Sequence, residues 1–159
     1  MINGINSREM ILEILLEIEA GEHSHVAIRN ALSKYQFLPN QDRAFITRVC
    51  DGTLEYRIQI DYIINSFSKV TVDKMKPAIR EILRSAVYQL KYMDSVPDSA
   101  VCNEAVKLAQ RKGFYNLKPF VNGVLRTIAR EMDQVQFPKK EDDLLKYLSV
   151  KYSMPEVLV

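Results

Sequence analysis

The stretch Val96–Arg130, VPDSAVCNEAVKLAQRKGFYNLKPFVNGVLRTIAR, decides the fold of this chain. Its apolar residues recur every three to four positions in two runs, with Gly113 between them. This spacing predicts two amphipathic helices, because residues three and four apart lie on the same face of an α-helix. We expect the first helix to start at Asp98 as its N-cap, just after Pro97, and the second to begin at Pro119.

Basic residues dominate the outer faces of these two predicted helices. From Ser99 to Arg130 there are six basic residues and one acidic residue, Glu104, so this segment carries +5 in a chain whose formal net charge is +2. A local positive charge of this kind favours a phosphate backbone or an acidic protein surface as the partner. Charge alone leaves open the common alternative, a solvated cationic face that has no nucleic-acid partner.

The length of 159 residues is that of one ordinary domain. Cys50 and Cys102 lack the spacing of zinc ligands or of a disulfide framework, so we expect buried free thiols in a reducing compartment. The N-terminus lacks the features of a signal peptide, and no apolar run approaches the ~18 residues that cross a bilayer. The sequence therefore predicts a soluble, cytoplasmic protein with no membrane partner.

Helical spacing of apolar residues continues through the rest of the chain, and no alternating strand of useful length is found. We therefore predict an all-α bundle of about seven helices. Asn6 and Glu9 have capping-box spacing at the start of the first helix, and Gly21 marks its end. Gly52 and Gly123 fall inside predicted helices, where we expect close packing to require the absence of a side chain, or a bend at Gly52.

The end of the chain has a different pattern. A charged linker at residues 139–143 leads to a weaker predicted helix at residues 144–148. Ser153 then stands at N-cap spacing from Glu156, with Pro155 between them. A helix start followed by three residues could not persist alone, because helix nucleation is unfavourable. This pattern favours a chain cut from a longer protein over a frayed natural end.

Residues 97–130 resemble the C-terminal half of the NusB fold, an all-helical RNA-binding domain. The resemblance rests on NEAV at residues 103–106 and FVNGVLR at residues 120–126. Two groups of proteins share this fold. One consists of free-standing transcription antitermination factors, and the other is the N-terminal domain of the RsmB (Sun, Fmu) ribosomal RNA cytosine-5 methyltransferases.

Several further segments resemble the methyltransferase group more closely. They include DRAF at residues 42–45, DGTL at residues 51–54 and DYII at residues 61–64. LSVKYSMPE at residues 148–156 resembles the segment that joins that N-terminal domain to its methyltransferase domain. The resemblance implies an RNA-binding domain at residues 1–137, followed at residues 138–159 by a linker helix that leads toward a methyltransferase domain absent from this chain.

The same resemblance implies what the whole enzyme would do. It would bind S-adenosylmethionine and methylate carbon 5 of a cytosine in 16S small-subunit rRNA. Its catalytic cysteines would lie outside this chain, so neither Cys50 nor Cys102 is a catalytic candidate and no cofactor site is expected here. The implied partners are RNA, rather than DNA, and the chain's own C-terminal methyltransferase domain.

Two other functions stay open on the sequence. A free-standing antitermination factor would bind RNA together with a ribosomal protein, although the tail after Pro138 argues against it. A helical protein–protein interaction module without nucleic acid is compatible with every residue. His23 and His25 lack a third ligand at usable spacing, so no metal site is expected. The first helix carries a solvated acidic face, which argues against RNA contacts there.

The candidate RNA-binding residues are basic side chains on the fifth to seventh predicted helices, which would hold phosphates through charge and hydrogen bonds. They are Arg80, Arg84, Lys107, Arg111, Lys112, Lys118, Arg126 and Arg130. Tyr88 or Tyr115 is expected to stack on an unpaired base, with a core or loop role as the alternative for Tyr115. Asn103 and Asn122 are expected to satisfy polar groups between packed helices, with direct RNA contact as the alternative.

Overall fold

The computed structural model describes residues 6–135, 144–153 and 155. Within them lie eight α-helices and no strand, which confirms the predicted all-α class. The helices are α1 (Ser7–Glu19), α2 (Ser24–Lys34), α3 (Asn40–Glu55), α4 (Arg57–Phe67), α5 (Pro77–Tyr92), α6 (Asp98–Arg111), α7 (Lys118–Glu131) and α8 (Leu144–Tyr152). None of the described helices is long and apolar enough to cross a membrane.

The helix ends follow the sequence closely. Asn6 Oδ1 accepts a hydrogen bond from the Glu9 backbone N at 2.8 Å, which confirms the predicted cap of α1. Gly21 follows α1 with φ at +119°, a conformation that favours glycine. The prediction of Asp98 as an N-cap is wrong. Pro97 occupies the cap position with extended backbone, and Asp98 lies in the first turn, where a carboxylate interacts favourably with the helix dipole.

Helix α5 lies at the centre of the bundle. It packs against α1, α3, α4, α6 and α7. Ten residues of α5 are buried, among them the apolar Ile79, Leu83 and Val87 and the polar Glu81 and Gln89, so most of the circumference of this helix is buried. A helix with that pattern needs neighbours on several sides, which explains why it forms the axis of the fold. The α6–α7 pair packs against one side of it.

Two glycines inside helices have opposite environments. A Cβ on Gly52 would overlap the Tyr88 ring, which confirms the expected close packing. The expectation for Gly123 is wrong, because an ideal Cβ there meets no atom within 4 Å and the residue is exposed. Gly123 therefore costs α7 about 1 kcal/mol relative to alanine without a packing reason.

Helix α8 packs back on α4. At its end, Ser153 Oγ accepts hydrogen bonds from the backbone N of Ile58, at 3.1 Å, and of Gln59, at 3.3 Å. These are N–H groups of the first turn of α4, whose own cap residue supplies no side-chain bond. Ser153 thus caps α4. The predicted domain boundary after residue 137, the linker at residues 139–143 and the partner Glu156 lie outside the described residues.

Candidate functional site

Arg80 is one of two candidate residues with a structural role. Its Nη1 donates hydrogen bonds to the carbonyl oxygens of Val72, at 2.9 Å, and Met75, at 3.2 Å. Its Nη2 pairs with the Glu19 carboxylate on α1. The guanidinium therefore ties the turn before α5 to the end of α1, and its side chain is only 15% exposed.

Arg84 is the second candidate residue with a structural role, and its side chain is 11% exposed. Its Nε and Nη2 pair with the two carboxylate oxygens of Asp61 at 2.8 and 2.9 Å, and its Nη1 with Glu81 Oε2 at 2.7 Å. Burial raises the pKa of the Glu81 carboxyl, which is 4% exposed. Two carboxylates thus compensate this arginine, so Arg80 and Arg84 do not join the other candidates at one surface.

Arg111 and Lys112, at the end of α6, face the acidic side of α1. Arg111 Nη1 lies 3.6 Å from Glu9 Oε2, and Lys112 pairs with the Glu13 carboxylate. The acidic face of the first helix was expected to be solvated, yet part of it compensates these two basic residues. The positive charge that these two residues offer to a partner is therefore smaller than a count of basic residues along the sequence indicates.

The other four candidates are residues of α6 and α7. With their polar and aromatic neighbours they form the α6–α7 surface: Asn103, Lys107, Gln110, Tyr115, Lys118, Asn122, Arg126 and Arg130. Lys107 is 60% exposed and makes one long contact, 3.4 Å, with Glu104. Lys118 Nζ donates to Gln110 Oε1 at 2.9 Å and lies 4.6 Å from the Tyr115 ring centroid.

Arg126 is held across both helices by neutral side chains. Its Nε donates to Asn122 Oδ1 on α7 at 3.1 Å, and its Nη2 donates to Asn103 Oδ1 on α6 at 2.7 Å. Asn103 therefore satisfies a polar group of the neighbouring helix, as expected, whereas the hydrogen bond of Asn122 lies within α7. Arg130, one turn further along α7, is 67% exposed and lies 3.2 Å from Glu131.

The two tyrosines proposed for stacking differ. Tyr88 is 6% exposed and packs against Gly52 and Tyr92, so the expectation that it can stack on a base is wrong. Tyr115 is 64% exposed and lies in the turn before α7. Only Tyr115 of this pair presents an aromatic ring to a ligand.

A cavity of about 510 Å³ lies beside α6. Lys107 and Arg111 line it together with Arg8 and Phe37. Phe37 is 85% exposed, and Arg8 stacks over the Phe45 ring at 5.3 Å. Neither Arg8 nor Phe37 is among the candidates predicted from the sequence. Two features of the sequence could have identified them: Arg8 is the single basic residue among the acids of α1, and Phe37 is an aromatic residue in the loop between α2 and α3.

Cysteines and histidines are the remaining residues that the sequence offered for chemistry. Cys50 and Cys102 are buried free thiols, as expected, and burial raises the pKa of each. In the described part of the chain, no group of three or more His, Cys, Asp or Glu side chains is placed to hold a metal ion. His23 and His25 stack on each other, with ring centroids 6.0 Å apart.

Named relatives fall into two groups. A Bacillus subtilis protein named "probable ribosomal RNA small subunit methyltransferase B" is 34% identical over 152 residues, which are 96% of this chain and 33% of that protein. Transcription antitermination protein NusB of Dictyoglomus thermophilum is 34% identical over 134 residues, which are 84% of this chain and 88% of that protein. The chain spans about a third of the length of the methyltransferase relatives.

A solved structure with the same fold is the crystal structure of antitermination factors NusB and NusE in complex with double-stranded RNA. Its matching chain has a TM-score of 0.71 and 21% identity, and the match covers 78% of this chain and 93% of that chain. The family model described as "NusB family" matches residues 5–130, which extend from the cap of α1 almost to the end of α7. With these matches and its all-helical architecture, the chain belongs to the NusB family.

Proposed function

We propose that this chain is an RNA-binding domain that contacts RNA through the α6–α7 surface. The observation that carries the proposal is the environment of Arg126, which is fixed by two neutral amides and has no carboxylate partner among the described residues. Lys118, whose ammonium donates to the neutral Gln110 side chain, is a second cation of this surface without a carboxylate partner among the described residues. Cations left uncompensated in this way attract the phosphate backbone of RNA.

The surface also offers an aromatic platform. The Tyr115 ring is exposed, and the Lys118 ammonium lies close to it, so a base could stack on the ring while the ammonium contacts the adjacent phosphate. A single-stranded segment satisfies both requirements, because its bases are free to turn outward. A related fold solved in complex with double-stranded RNA supports RNA as the ligand class.

The parent protein we propose is a ribosomal RNA cytosine-5 methyltransferase. The similarity to the Bacillus subtilis relative covers 96% of this chain, whereas the family model ends at residue 130. Helix α8 lies beyond that end and caps α4 through Ser153, as an integral part of the fold. The domain would position 16S small-subunit rRNA for a C-terminal methyltransferase domain outside this chain.

S-adenosylmethionine and the catalytic cysteines would belong to that other domain. The described residues do not fit the cofactor. They contain no strand, and therefore no strand that leads into a glycine-rich loop. The buried thiols of Cys50 and Cys102 do not fit a nucleophile either, because burial disfavours the reactive thiolate. We therefore assign this chain no step of methyl transfer.

A free-standing antitermination factor is the second candidate. The observation in its favour is that the match covers 88% of the Dictyoglomus NusB protein, whereas it covers a third of the methyltransferase. The reading frame downstream of Val159 separates the two candidates. A continuation of a few hundred residues with a Pro-Cys or Thr-Cys motif supports the methyltransferase, and a stop codon close to Val159 supports the antitermination factor.

Filter binding to small-subunit rRNA tests the RNA-binding role. We expect the pair Arg126→Glu and Arg130→Glu to weaken binding and to reduce the slope of log K against log salt by about 0.7 for each phosphate that the surface no longer neutralises. Lys69→Glu with Lys74→Glu is the matched control, because both lysines are exposed in the α4–α5 connection and the charge change is the same.

The outcome separates three functions. A reduced slope in the α7 pair alone supports the proposal. An unchanged slope in that pair, or an equal reduction in the control pair, contradicts the assignment of the surface. Absence of RNA binding by the unaltered chain contradicts an RNA-binding role and favours a protein-interaction module.

A further inference from the structure

We propose that Asn103, Asn122, Gly123 and Arg126 form a phosphate notch, a site where a single RNA phosphodiester approaches α7 closely and binds the open edge of the Arg126 guanidinium. The inference rests on the proposed RNA-binding function and specifies how the α6–α7 surface would hold the backbone. Asn103 and Asn122 act in it as positioning residues, and Gly123 provides the space.

Arg126 is held along only one of its two hydrogen-bonding edges. A guanidinium has one bidentate edge formed by Nε and Nη2 and another formed by Nη1 and Nη2. In Arg126 the first edge is occupied by the amide oxygens of Asn122 and Asn103. On the second edge, Nη1 has no partner among the described residues. Two hydrogen bonds to side chains of different helices therefore fix the plane of the group and leave Nη1 to donate to a phosphate oxygen.

Arg84 provides a contrast within the same protein. It uses the same Nε–Nη2 edge, but there it binds the carboxylate of Asp61, and Glu81 takes its Nη1. The positive charge of Arg84 is thus compensated by carboxylates, and its side chain is almost buried. At Arg126 the partners are amides, which orient the guanidinium without cancelling its charge. A phosphate gains most from a cation of that kind.

Gly123 is a residue that no intramolecular contact explains. It is exposed inside α7, no atom lies within 4 Å of an ideal Cβ, and its φ is not in the left-handed region that would require glycine. It directly follows Asn122 and precedes Arg126 by three residues, which places it on the same side of the helix as Arg126. A bare helix surface beside an oriented arginine lets a sugar–phosphate chain approach the backbone closely.

Gly123 gives an unusual test, because its structural and functional effects have opposite signs. Gly123→Ala should raise the midpoint of thermal unfolding by about 2–4 °C, since alanine is the better helix former and nothing obstructs the methyl group. The same change should weaken binding of a fluorescein-labelled 12-nucleotide single-stranded RNA about 3-fold in an anisotropy titration. Gly123→Gln, with a longer side chain, should weaken it at least 10-fold.

The control for Gly123→Gln is Ser33→Gln, which places the same side chain at an exposed position of α2. This control should bind RNA like the unaltered chain. The positioning role is tested by Asn103→Asp and Asn122→Asp, which keep the shape and the hydrogen bonds but add carboxylates to Arg126. Each should weaken binding at least 5-fold and leave thermal stability equal or higher, which a purely structural role would not produce.

The results distinguish the notch from the proposed function. If Arg126→Glu weakens RNA binding while the Gly123 and asparagine variants bind like the unaltered chain, the notch is wrong and the RNA-binding surface stands. If the unaltered chain binds no RNA, both are wrong. A more stable Gly123→Ala protein with weaker binding, together with weaker binding by the two Asp variants, supports the notch.

Discussion

At the scale of single residues, Gly52 connects sequence and packing most directly. Its missing side chain makes room for the Tyr88 ring, which is itself held against Tyr92 at a centroid distance of 5.3 Å. Because the methyl group would displace this buried ring, we expect Gly52→Ala to lower the free energy of unfolding by about 1–3 kcal/mol. Urea denaturation measures the change, and a stability equal to that of the unaltered protein would refute this packing account.

Glu81 gives the fold a pH dependence. Burial raises the pKa of its carboxyl above the usual value of about 4.5. The unfolded chain therefore loses this proton at lower pH than the folded chain does, so the contribution of Glu81 to stability decreases as the pH rises from about 4.5 through the raised value.

Comparison with Glu81→Gln isolates this contribution, because glutamine stays neutral at every pH. We expect the stability of the unaltered protein, relative to that of the variant, to be highest at pH 4.5 and to be lower at pH 8. Urea denaturation at both pH values measures it. A relative stability that rises with pH would mean that the neighbouring Arg84 outweighs burial and lowers the pKa instead.

The basic residues show where inference from sequence ends. Helical spacing predicts which face of a helix carries Arg84 or Arg126, because that depends on local geometry. It does not predict that the partner of Arg84 is Asp61, 23 residues away, or that Arg126 meets Asn103, also 23 residues away. Those contacts depend on how the helices assemble. A count of charges along the sequence therefore overestimates the free positive charge at Arg80, Arg84, Arg111 and Lys112.

At the scale of elements, one hydroxyl group joins the end of the eighth helix to α4. Ser153 adopts φ of +54° and accepts two hydrogen bonds from the first turn of α4. We expect Ser153→Ala to lower the free energy of unfolding by about 1 kcal/mol, the typical contribution of an N-cap. Ser153→Asn should retain more of the stability, because asparagine tolerates this backbone conformation and supplies an acceptor oxygen.

Thermal unfolding of the two Ser153 variants decides this point. Equal midpoints for Ser153→Ala and the unaltered chain would show that α8 contributes its stability through its other contacts with the bundle, such as buried Val150 and the hydrogen bond from Gln59 Nε2 to the Lys151 carbonyl oxygen at 3.1 Å. Apolar spacing in the sequence predicts α8. It does not predict the cap, because the spacing of Ser153 from Glu156 indicates the start of a following helix and α4 is distant along the chain.

The α6–α7 pair was the most predictable part of the structure. Both helices begin within one residue of their predicted starts, since Pro97 and Pro119 restrict the backbone locally. The error at Gly123 has an equally physical cause. A glycine inside a helix indicates that something comes close to it, but the sequence does not say whether that neighbour is another helix or a ligand.

At the scale of the whole molecule, charge is distributed by pairing between helices. The acidic residues of α1 compensate the end of α6 through Glu9 and Glu13, whereas Lys118 and Arg126 of α7 have neutral partners and no carboxylate partner among the described residues. A net charge of +2 therefore conceals an uneven distribution of paired and unpaired basic residues. Such an asymmetric distribution orients the protein on a polyanion more effectively than an even one would.

Chemical-shift mapping tests the central claim, RNA binding through the α6–α7 surface, most directly. The ¹⁵N-labelled chain would be titrated with a single-stranded segment of small-subunit rRNA. We predict that the largest amide shifts fall on α6 and α7 between Asn103 and Arg130, and that α8 and the α1–α2 groove lined by Glu13 and Glu17 change little. Shifts centred on that groove or on α8, or no shifts at saturating RNA, would contradict the claim.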